Sequence, residues 1–152
     1  MAEIRLAYSA LGVCGTNCYI IYEEHTKEAV IVDPADAPER IRLQAEKLGV
    51  SVKGIWLTHG HFDHMLAADA LRKEYGVKIW AMKSEKELLE SPAMNLSAAW
   101  AEPAALTADE WLEDGQRLEA LGTAAEVLHT PGHTPGSCCF YFKQENILIS
   151  GD

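Results

Sequence analysis

Three of the six histidines in the chain lie within the segment T-H-G-H-F-D-H at residues 58–64. His59 and His61 are two positions apart, so on an extended segment both imidazoles point to the same side and can bind one ion. Asp63 and His64 follow where a helical pattern begins, displaced from the first pair, and can hold a second ion. A solvated histidine-rich loop is the alternative, but this spacing favours a metal site. Such ligands suit zinc, iron or manganese, and ligand identity alone does not choose among them.

The surrounding pattern places this segment between a strand and a helix. Residues 52–57 predict a strand, residues 63–75 predict a helix that ends at Gly76, and residues 77–81 predict another strand. Strand, helix and strand in this order imply a parallel crossover. The histidines are therefore expected on a loop at the carboxyl edge of an α/β sheet, where sites on such sheets usually lie.

Further strands and helices are predicted on both sides of this unit. Pro38 suits the first turn of a covering helix that ends near Gly49, and Ser84 with Glu87 matches a capping box that opens a helix through Glu90. The remaining predicted strands are residues 4–9, 18–22, 29–32, a short strand near Leu118, 126–130, 137–142 and 146–150.

Residues 91–110 lack a regular period and form the one long interruption of this pattern. With Trp100 and Trp111, this insertion is expected either to wall a substrate pocket or to serve as a surface connector held by buried tryptophan anchors. The pattern itself leaves both interpretations open.

Residues 58–64 resemble the T-H-x-H-x-D-H signature of the metallo-β-lactamase superfamily, and other segments continue the likeness. They occur in the order that the family shows: N-C-Y at 17–19, I-V-D-P at 31–34, T-P-G-H-T-P-G-S at 130–137 and S-G-D at 150–152. The likeness leans toward the glyoxalase II-like branch. It implies that residues 1–152 form a metallo-β-lactamase-like α/β domain, a four-layer αβ/βα sandwich whose second half is incomplete in this chain.

The resemblance also implies the roles of individual residues in a centre of two divalent ions. Zinc is the expected metal, with iron and manganese as alternatives. Asp63 is both a ligand and the residue that orients the attacking hydroxide, Asp33 lies beneath the metals, and His129 has a structural role. The implied ligands are His59, His61, His133 and Asp152 for the first ion, and Asp63, His64 and the bridging Asp152 for the second.

The function implied by this resemblance is hydrolysis of a small-molecule thioester of the hydroxyacylglutathione type by a metal-activated hydroxide. The alternatives are a mononuclear iron persulfide dioxygenase of the same superfamily and a non-catalytic fragment. The flavodiiron branch is disfavoured because it has glutamate at the position of His61. β-Lactam hydrolysis is disfavoured because those enzymes carry export signals and usually have a residue other than His at position 64.

The same family normally continues for roughly another third of a domain, which carries the last histidine of the second metal site. We therefore expect this chain to be a fragment or one piece of a two-chain protein, associated with a complementary fragment or with a second copy of itself.

Composition limits the other function classes. The 152 residues are 48% hydrophobic and 24% charged, which is typical of one globular domain. The net charge of −10 and the lack of a basic cluster disfavour nucleic acid. No apolar run approaches the roughly 20 residues that span a bilayer, and the first residues do not resemble a signal peptide, so a cytoplasmic location is expected.

The four cysteines do not have the spacing of paired C-x-x-C motifs. Cys138 and Cys139 are adjacent in a predicted strand, where consecutive side chains face opposite sides of the sheet, so reduced thiols are expected. A redox or metal role for Cys14 and Cys18 is the alternative.

Overall fold

The structure is a computed structural model that describes residues 2–12 and 14–150. Within these ranges the strands are Ile4–Leu11 (β1), Thr16–Glu23 (β2), Glu28–Val32 (β3), Ser51–Trp56 (β4), Ile79–Met82 (β5), Glu110–Leu112 (β6), Arg117–Ala120 (β7), Thr123–His129 (β8), Cys138–Phe142 (β9) and Ile147–Ser150 (β10). The α-helices are Pro38–Leu48 (α1), Ala68–Tyr75 (α2), Lys86–Glu90 (α3) and Ser97–Trp100 (α4), and short 3-10 helices cover Phe62–His64 and Lys83–Glu85.

The strands form two sheets whose strand orders follow the chain. The first sheet has the order β1-β2-β3-β4-β5-β6, antiparallel from β1 to β3 and parallel from β3 to β6. The second is the antiparallel sheet β10-β9-β8-β7. The predicted parallel crossover between the strand before the histidines and the strand after them is confirmed.

The core is divided by the first sheet, and alternate residues of β3 face its two halves. Ala29 and Ile31 pack with the buried faces of α1 and α2, while Val30 and Val32 pack toward the second sheet. The inter-sheet core includes Trp56, whose ring centroid lies 5.0 Å from that of Phe140. A strand buried on both faces has a continuous apolar sequence, which explains the run at residues 29–32.

Helices, the first sheet and the second sheet therefore form three successive layers in the described ranges. This arrangement of helices on a mixed sheet agrees with the predicted α/β fold class. None of the helices found in residues 2–12 and 14–150 has the length and apolar character needed to cross a membrane.

Helix α1 follows its local sequence signals closely. Pro38 occupies the first turn, and Gly49 ends the helix with φ of 70°, donating its N–H to the carbonyls of Ala45 and Glu46. Glycine adopts this left-handed conformation without a Cβ clash, which explains why the helix ends here. The predicted end of the helix near Gly49 is confirmed.

Two predicted helix starts are wrong. The predicted helix over residues 63–75 is a short 3-10 turn, and α2 begins only at Ala68, because Met65 leaves helical geometry and Ala67 N–H donates to Pro34 O. The expected capping box of Ser84 and Glu87 makes no cap hydrogen bond to α3, because the Ser84 hydroxyl contacts Pro135 O and His129 Nε2 in the second sheet region and a 3-10 turn covers Lys83–Glu85.

The insertion at residues 91–110 is a set of turns around α4. Asn95 is fully buried and its side-chain amide donates to the carbonyls of Leu89 and Ala104. Trp100 is 69% exposed, so its interpretation as a buried anchor is wrong, whereas Trp111 packs partly against the helix-side core.

Candidate metal centre

The parallel strands of the first sheet bring three polar segments to one edge. Asp33 follows β3, residues 57–64 follow β4, and the turn Lys83–Glu85 follows β5. The carboxyl ends of neighbouring parallel strands meet at the same edge, which explains their proximity. We refer to residues 57–64 as the histidine loop and to residues 130–137, which connect β8 to β9, as the His133 loop.

The histidine loop is joined directly to the second sheet at this edge. The backbone N–H of Cys138 donates to the carbonyl oxygen of Thr58 over 2.8 Å. The start of β9 in the second sheet is thereby held against the end of β4 in the first sheet, so His133 faces the histidine loop.

The first cluster consists of His59, His61 and His133. One ring nitrogen from each lies within 4.8 Å of the others, and His61 Nδ1 lies 3.0 Å from His133 Nε2. His59 is buried, with 2% of its surface exposed, whereas His133 is exposed. The cluster therefore has a rigid inner side and an outer side that is open to solvent.

The second cluster consists of His59, Asp63 and His64. Their ligand atoms also lie within 4.8 Å of one another, and His64 Nε2 lies 3.5 Å from Asp63 Oδ2. Thr16 Oγ1 donates a hydrogen bond of 2.8 Å to the same Asp63 oxygen. Thr16 was not among the residues predicted from the sequence, because no local pattern connects it to a residue 47 positions away.

Asp33 organises the buried side of both clusters. Its carboxylate accepts hydrogen bonds from Thr58 N–H, from Thr58 Oγ1 and from His64 Nδ1, the last over 2.8 Å. A carboxylate only accepts, so His64 carries its proton on Nδ1 and has its lone pair on Nε2. Thr58 Oγ1 lies 3.3 Å from His59 Nδ1 and gives its own proton to Asp33, so His59 likewise has its lone pair on Nε2.

Burial keeps the inner imidazoles neutral. Burial first, and then the neighbouring His64, lowers the pKa of His59 from 6.5 to about 4. Burial and then His133 also lower the pKa of His61. Neutral imidazole is the form that binds a metal, so at neutral pH these two rings are ready to act as ligands.

The size and chemistry of both clusters fit a divalent ion. Donor atoms around one tetrahedral zinc ion are separated by roughly 3.3 Å, as follows from metal–ligand distances near 2 Å. The ligand atoms of each cluster already lie within 4.8 Å of one another. Rotation of the exposed His133 ring can shorten these separations in the first cluster toward the value for zinc. Three imidazoles in one cluster, and two imidazoles with a carboxylate in the other, are donor sets that zinc and iron both accept.

The sequence-predicted ligands in the described ranges all lie in these two clusters, and Asp33 lies directly behind them. Asp152, the predicted bridging ligand, lies outside the described residues. His129 lies apart from both clusters, where Nε2 contacts Pro135 O at 2.7 Å.

The four cysteines all lie in the described ranges and form no disulfide bond with one another. Burial and then the charge of Asp33 raise the pKa of Cys18 well above its usual range, so this thiol stays protonated. Neither Cys14 nor Cys18 belongs to the clusters formed by the described side chains.

A cavity of about 230 Å³ lies beside the second cluster. It is lined by Cys14, Gly15, Thr16, Asn17, Tyr19, Asp33, Asp63, His64 and Ser150. A larger cavity of about 510 Å³ lies near the opposite ends of β3 and β4 and contains no histidine in its described lining. The size of a cavity alone therefore does not identify the site here.

Comparisons with known proteins agree with this fold and this site. The hydroxyacylglutathione hydrolase GloC of Haemophilus influenzae is 34% identical over 139 residues, which cover 90% of this chain and 65% of that protein. The crystal structure of the BLEG-1 B3 metallo-beta-lactamase is 34% identical with a TM-score of 0.88, and the match covers 95% of this chain and 70% of that one. A di-iron-bound structure of TTHA1623 is 30% identical with a TM-score of 0.80, covering 93% of this chain and 69% of that one.

The chain thus spans somewhat less than two thirds of the length of the GloC hydrolase. The family profile of the metallo-beta-lactamase superfamily matches residues 11–152, which include both clusters and both ligand loops. The chain belongs to the metallo-beta-lactamase superfamily.

Proposed function

We propose that this protein is a metal-dependent hydrolase that acts on thioesters of the hydroxyacylglutathione type. The observation that carries the proposal is the pair of clusters that share the buried His59 and place Asp63 beside an open cavity. The identity of 34% to a hydroxyacylglutathione hydrolase supports the substrate class.

Divalent ions held by the two clusters would supply Lewis acidity, which lowers the pKa of water and polarises a carbonyl oxygen. The ligands of one ion would be His59, His61 and His133, and those of the other would be Asp63 and His64, with Asp152 as the proposed bridge. Zinc is the proposed metal, and the di-iron form of TTHA1623 makes iron the alternative to test.

Asp63 is proposed to position the attacking water. Thr16 donates to Oδ2 of Asp63 and so restrains the carboxylate, whose other oxygen is proposed to accept a proton from water at the cavity. Asp33 holds the buried His64 through Nδ1 and prevents rotation of its ring. These contacts orient the reacting groups before the substrate arrives, which lowers the cost of reaching the transition state.

A thiolate leaving group makes little demand on a proton donor beside this cavity, where Tyr19 supplies a hydroxyl group. None of the described residues around this cavity is Lys or Arg. A thiol has a pKa near 8.5, so a thiolate leaves from the tetrahedral intermediate with little need for protonation. An amine or alkoxide would need a proton donor at this position.

Substitution of an exposed ligand tests the proposal. His133→Ala removes a ligand from the first cluster without creating a buried cavity, because the side chain is exposed. We expect kcat/KM for S-lactoylglutathione to fall by more than about 100-fold, since residues that only orient metal ligands already cost up to about 100-fold. The measurement is steady-state hydrolysis by metal-replete protein, with thermal unfolding of the metal-free forms compared.

His25→Ala is the matched control, because His25 is also exposed but pairs with Glu3 away from both clusters. This variant should hydrolyse the thioester as the wild type does. Two bound ions without thioester hydrolysis in the wild type would overturn the thioester proposal, and oxygen uptake with glutathione persulfide would assign the protein to the dioxygenases instead.

β-Lactam hydrolysis is a second candidate because the BLEG-1 structure superposes with a TM-score of 0.88. Either activity would use the metal ligands of this chain, and the two differ in the substrate that fits the cavity. A β-lactam panel assayed beside the thioester decides between them through the ratio of the two kcat/KM values.

A further inference from the structure

Glu85 is a fully buried carboxylate that lies outside both clusters and has no part in the proposed mechanism. Its exposed fraction is 0%. Burial of a charged carboxylate is costly unless hydrogen bonds replace the lost water. Here three donors surround the carboxylate, and they come from both ligand loops.

The three hydrogen bonds connect the histidine loop to the His133 loop. Glu85 Oε2 accepts from Gly60 N–H over 2.7 Å and from Thr134 Oγ1 over 2.6 Å, while Oε1 accepts from Gly136 N–H over 2.9 Å. Gly60 lies between His59 and His61, and Thr134 directly follows His133. One carboxylate therefore holds the backbone on both sides of the first cluster.

Close packing around Glu85 leaves these bonds little freedom to lengthen. A Cβ atom at Gly136 would lie 2.6 Å from Glu85 N, and one at Gly60 would lie 2.7 Å from Leu89 Cδ2. Both glycines thus allow the two loops to approach the segment that carries Glu85. Ser84, which precedes Glu85, makes a further hydrogen bond to the His133 loop, with its hydroxyl 3.3 Å from Pro135 O.

The bonds of Glu85 differ in their consequences for the two clusters. His61 and His133 belong to different loops, and Glu85 sets the separation of those loops. The second cluster is built from residues of the histidine loop alone, and Asp33 holds its His64. A change at Glu85 should therefore affect the first cluster more than the second.

We propose that Glu85 is a positioning residue that fixes the distance between the histidine loop and the His133 loop, and through that distance the metal affinity of the first cluster. The proposal rests on the proposed function, because it requires that His59, His61 and His133 bind a metal. Glu85 itself belongs to neither cluster of proposed ligands.

Glu85→Gln tests the proposal with little change in side-chain volume. Glutamine places an N–H₂ group against at least one of the three donors, so the carboxamide cannot satisfy all of them. We expect the affinity of the first cluster for Co²⁺ to fall on the order of 10-fold or more, with the second cluster changed by less than threefold. The measurement is a two-step Co²⁺ titration of the metal-free full chain, followed by visible absorption.

Glu87→Gln is the matched control, since Glu87 is exposed on α3 two positions further along the chain and undergoes the same chemical change. It should reproduce the wild-type titration. Thr134→Val provides an independent route if Glu85→Gln does not fold, because it removes a single donor to Glu85 and should also weaken the first step selectively.

The outcomes separate this proposal from the proposed function. Failure of the wild type to bind Co²⁺ at either cluster overturns the metal-site proposal itself. Wild-type binding with unchanged affinities in Glu85→Gln and Thr134→Val overturns the role of Glu85. An equal loss at both clusters, together with a lower melting temperature, shows a general structural role and also overturns it.

Discussion

Asp33 accepts three hydrogen bonds at the end of β3 and determines which nitrogen of His64 carries the proton. The residue has φ of 54°, a left-handed conformation that aspartate and asparagine tolerate better than most side chains. Substitution by asparagine therefore changes the hydrogen bonding of the site without changing its backbone preference.

Asp33→Asn should weaken the second cluster and the fold together. The asparagine N–H₂ group would face a donor from Thr58 or His64, leaving a buried polar group unpaired. We expect the free energy of unfolding to fall by about 1–3 kcal/mol and the Co²⁺ affinity of the second cluster to fall on the order of 10- to 100-fold. Urea unfolding and Co²⁺ titration measure the two effects.

Asp36→Asn is the control for that substitution, because Asp36 accepts one bond from Ala37 N–H, which an asparagine oxygen can also accept. Its stability and metal binding should match the wild type. Wild-type metal affinity in Asp33→Asn would contradict the orienting role of Asp33.

Among individual residues of the site, the sequence predicted those that belong to a motif. It missed those that form hydrogen bonds to residues distant in the chain. Asp33 and His133 were predicted from segments that resemble the family signature. Thr16 and Glu85 were missed because their partners are distant in the chain. Thr16 bonds to Asp63, 47 residues away, and Glu85 bonds to Gly136, 51 residues away. The position of Glu85 after a parallel strand was the one available signal.

Local elements followed the sequence where their hydrogen bonds are local. The strands predicted over residues 18–22 and 29–32 are found as β2 and β3, and α1 ends at Gly49 as its cap residue predicted. The start of α2 and the segment before α3 were predicted wrongly, because the hydrogen bond from Ala67 N–H to Pro34 O and the contact of the Ser84 hydroxyl with Pro135 O override the local helix signals.

Glu23 closes the turn between β2 and β3 and should make the fold sensitive to acid. Its carboxylate accepts from the N–H groups of Glu3, His25 and Thr26, and the bond from Thr26, followed by that from Glu3, lowers the pKa of Glu23 from 4.5 to about 2. The unfolded state takes up this proton first, so the stabilisation is complete above pH 4.5 and is lost as the pH falls toward 2.

Glu23→Gln should therefore be less stable than the wild type at pH 7. The difference between their free energies of unfolding should become smaller as the pH falls from 4.5 toward 2. Urea unfolding at a series of pH values measures it. Glu28→Gln, at the other end of the same turn, is the control. Its free energy of unfolding should change with pH as that of the wild type does. A constant difference between Glu23→Gln and the wild type at all pH values would contradict the role of the Glu23 charge.

In the whole molecule, the proposed ligands come from the edges of both sheets. His59, His61 and His64 follow a strand of the first sheet, and His133 lies between two strands of the second. An ion bound in the first cluster would therefore connect the sheets, in addition to the apolar packing between Trp56 and Phe140.

Removal of metal should lower the melting temperature. At a free ion concentration 100-fold above Kd, binding stabilises the folded state by about 2.7 kcal/mol, which for a chain of this size corresponds to about 5–10 °C. Differential scanning calorimetry with and without EDTA measures the shift. EDTA should lower the melting temperature of His133→Ala by less than that of the wild type. An equal decrease in both proteins would place the stabilising ion outside the first cluster.

Strand order in both sheets equals chain order, so each strand pairs with its nearest neighbour in the sequence. Pairing of this kind closes short loops and is favourable early in folding. His61 and His133 are 72 residues apart and meet only when the completed sheets dock. Bound ions are therefore expected to slow the separation of the sheets during unfolding, while the rate at which the chain folds stays nearly unchanged.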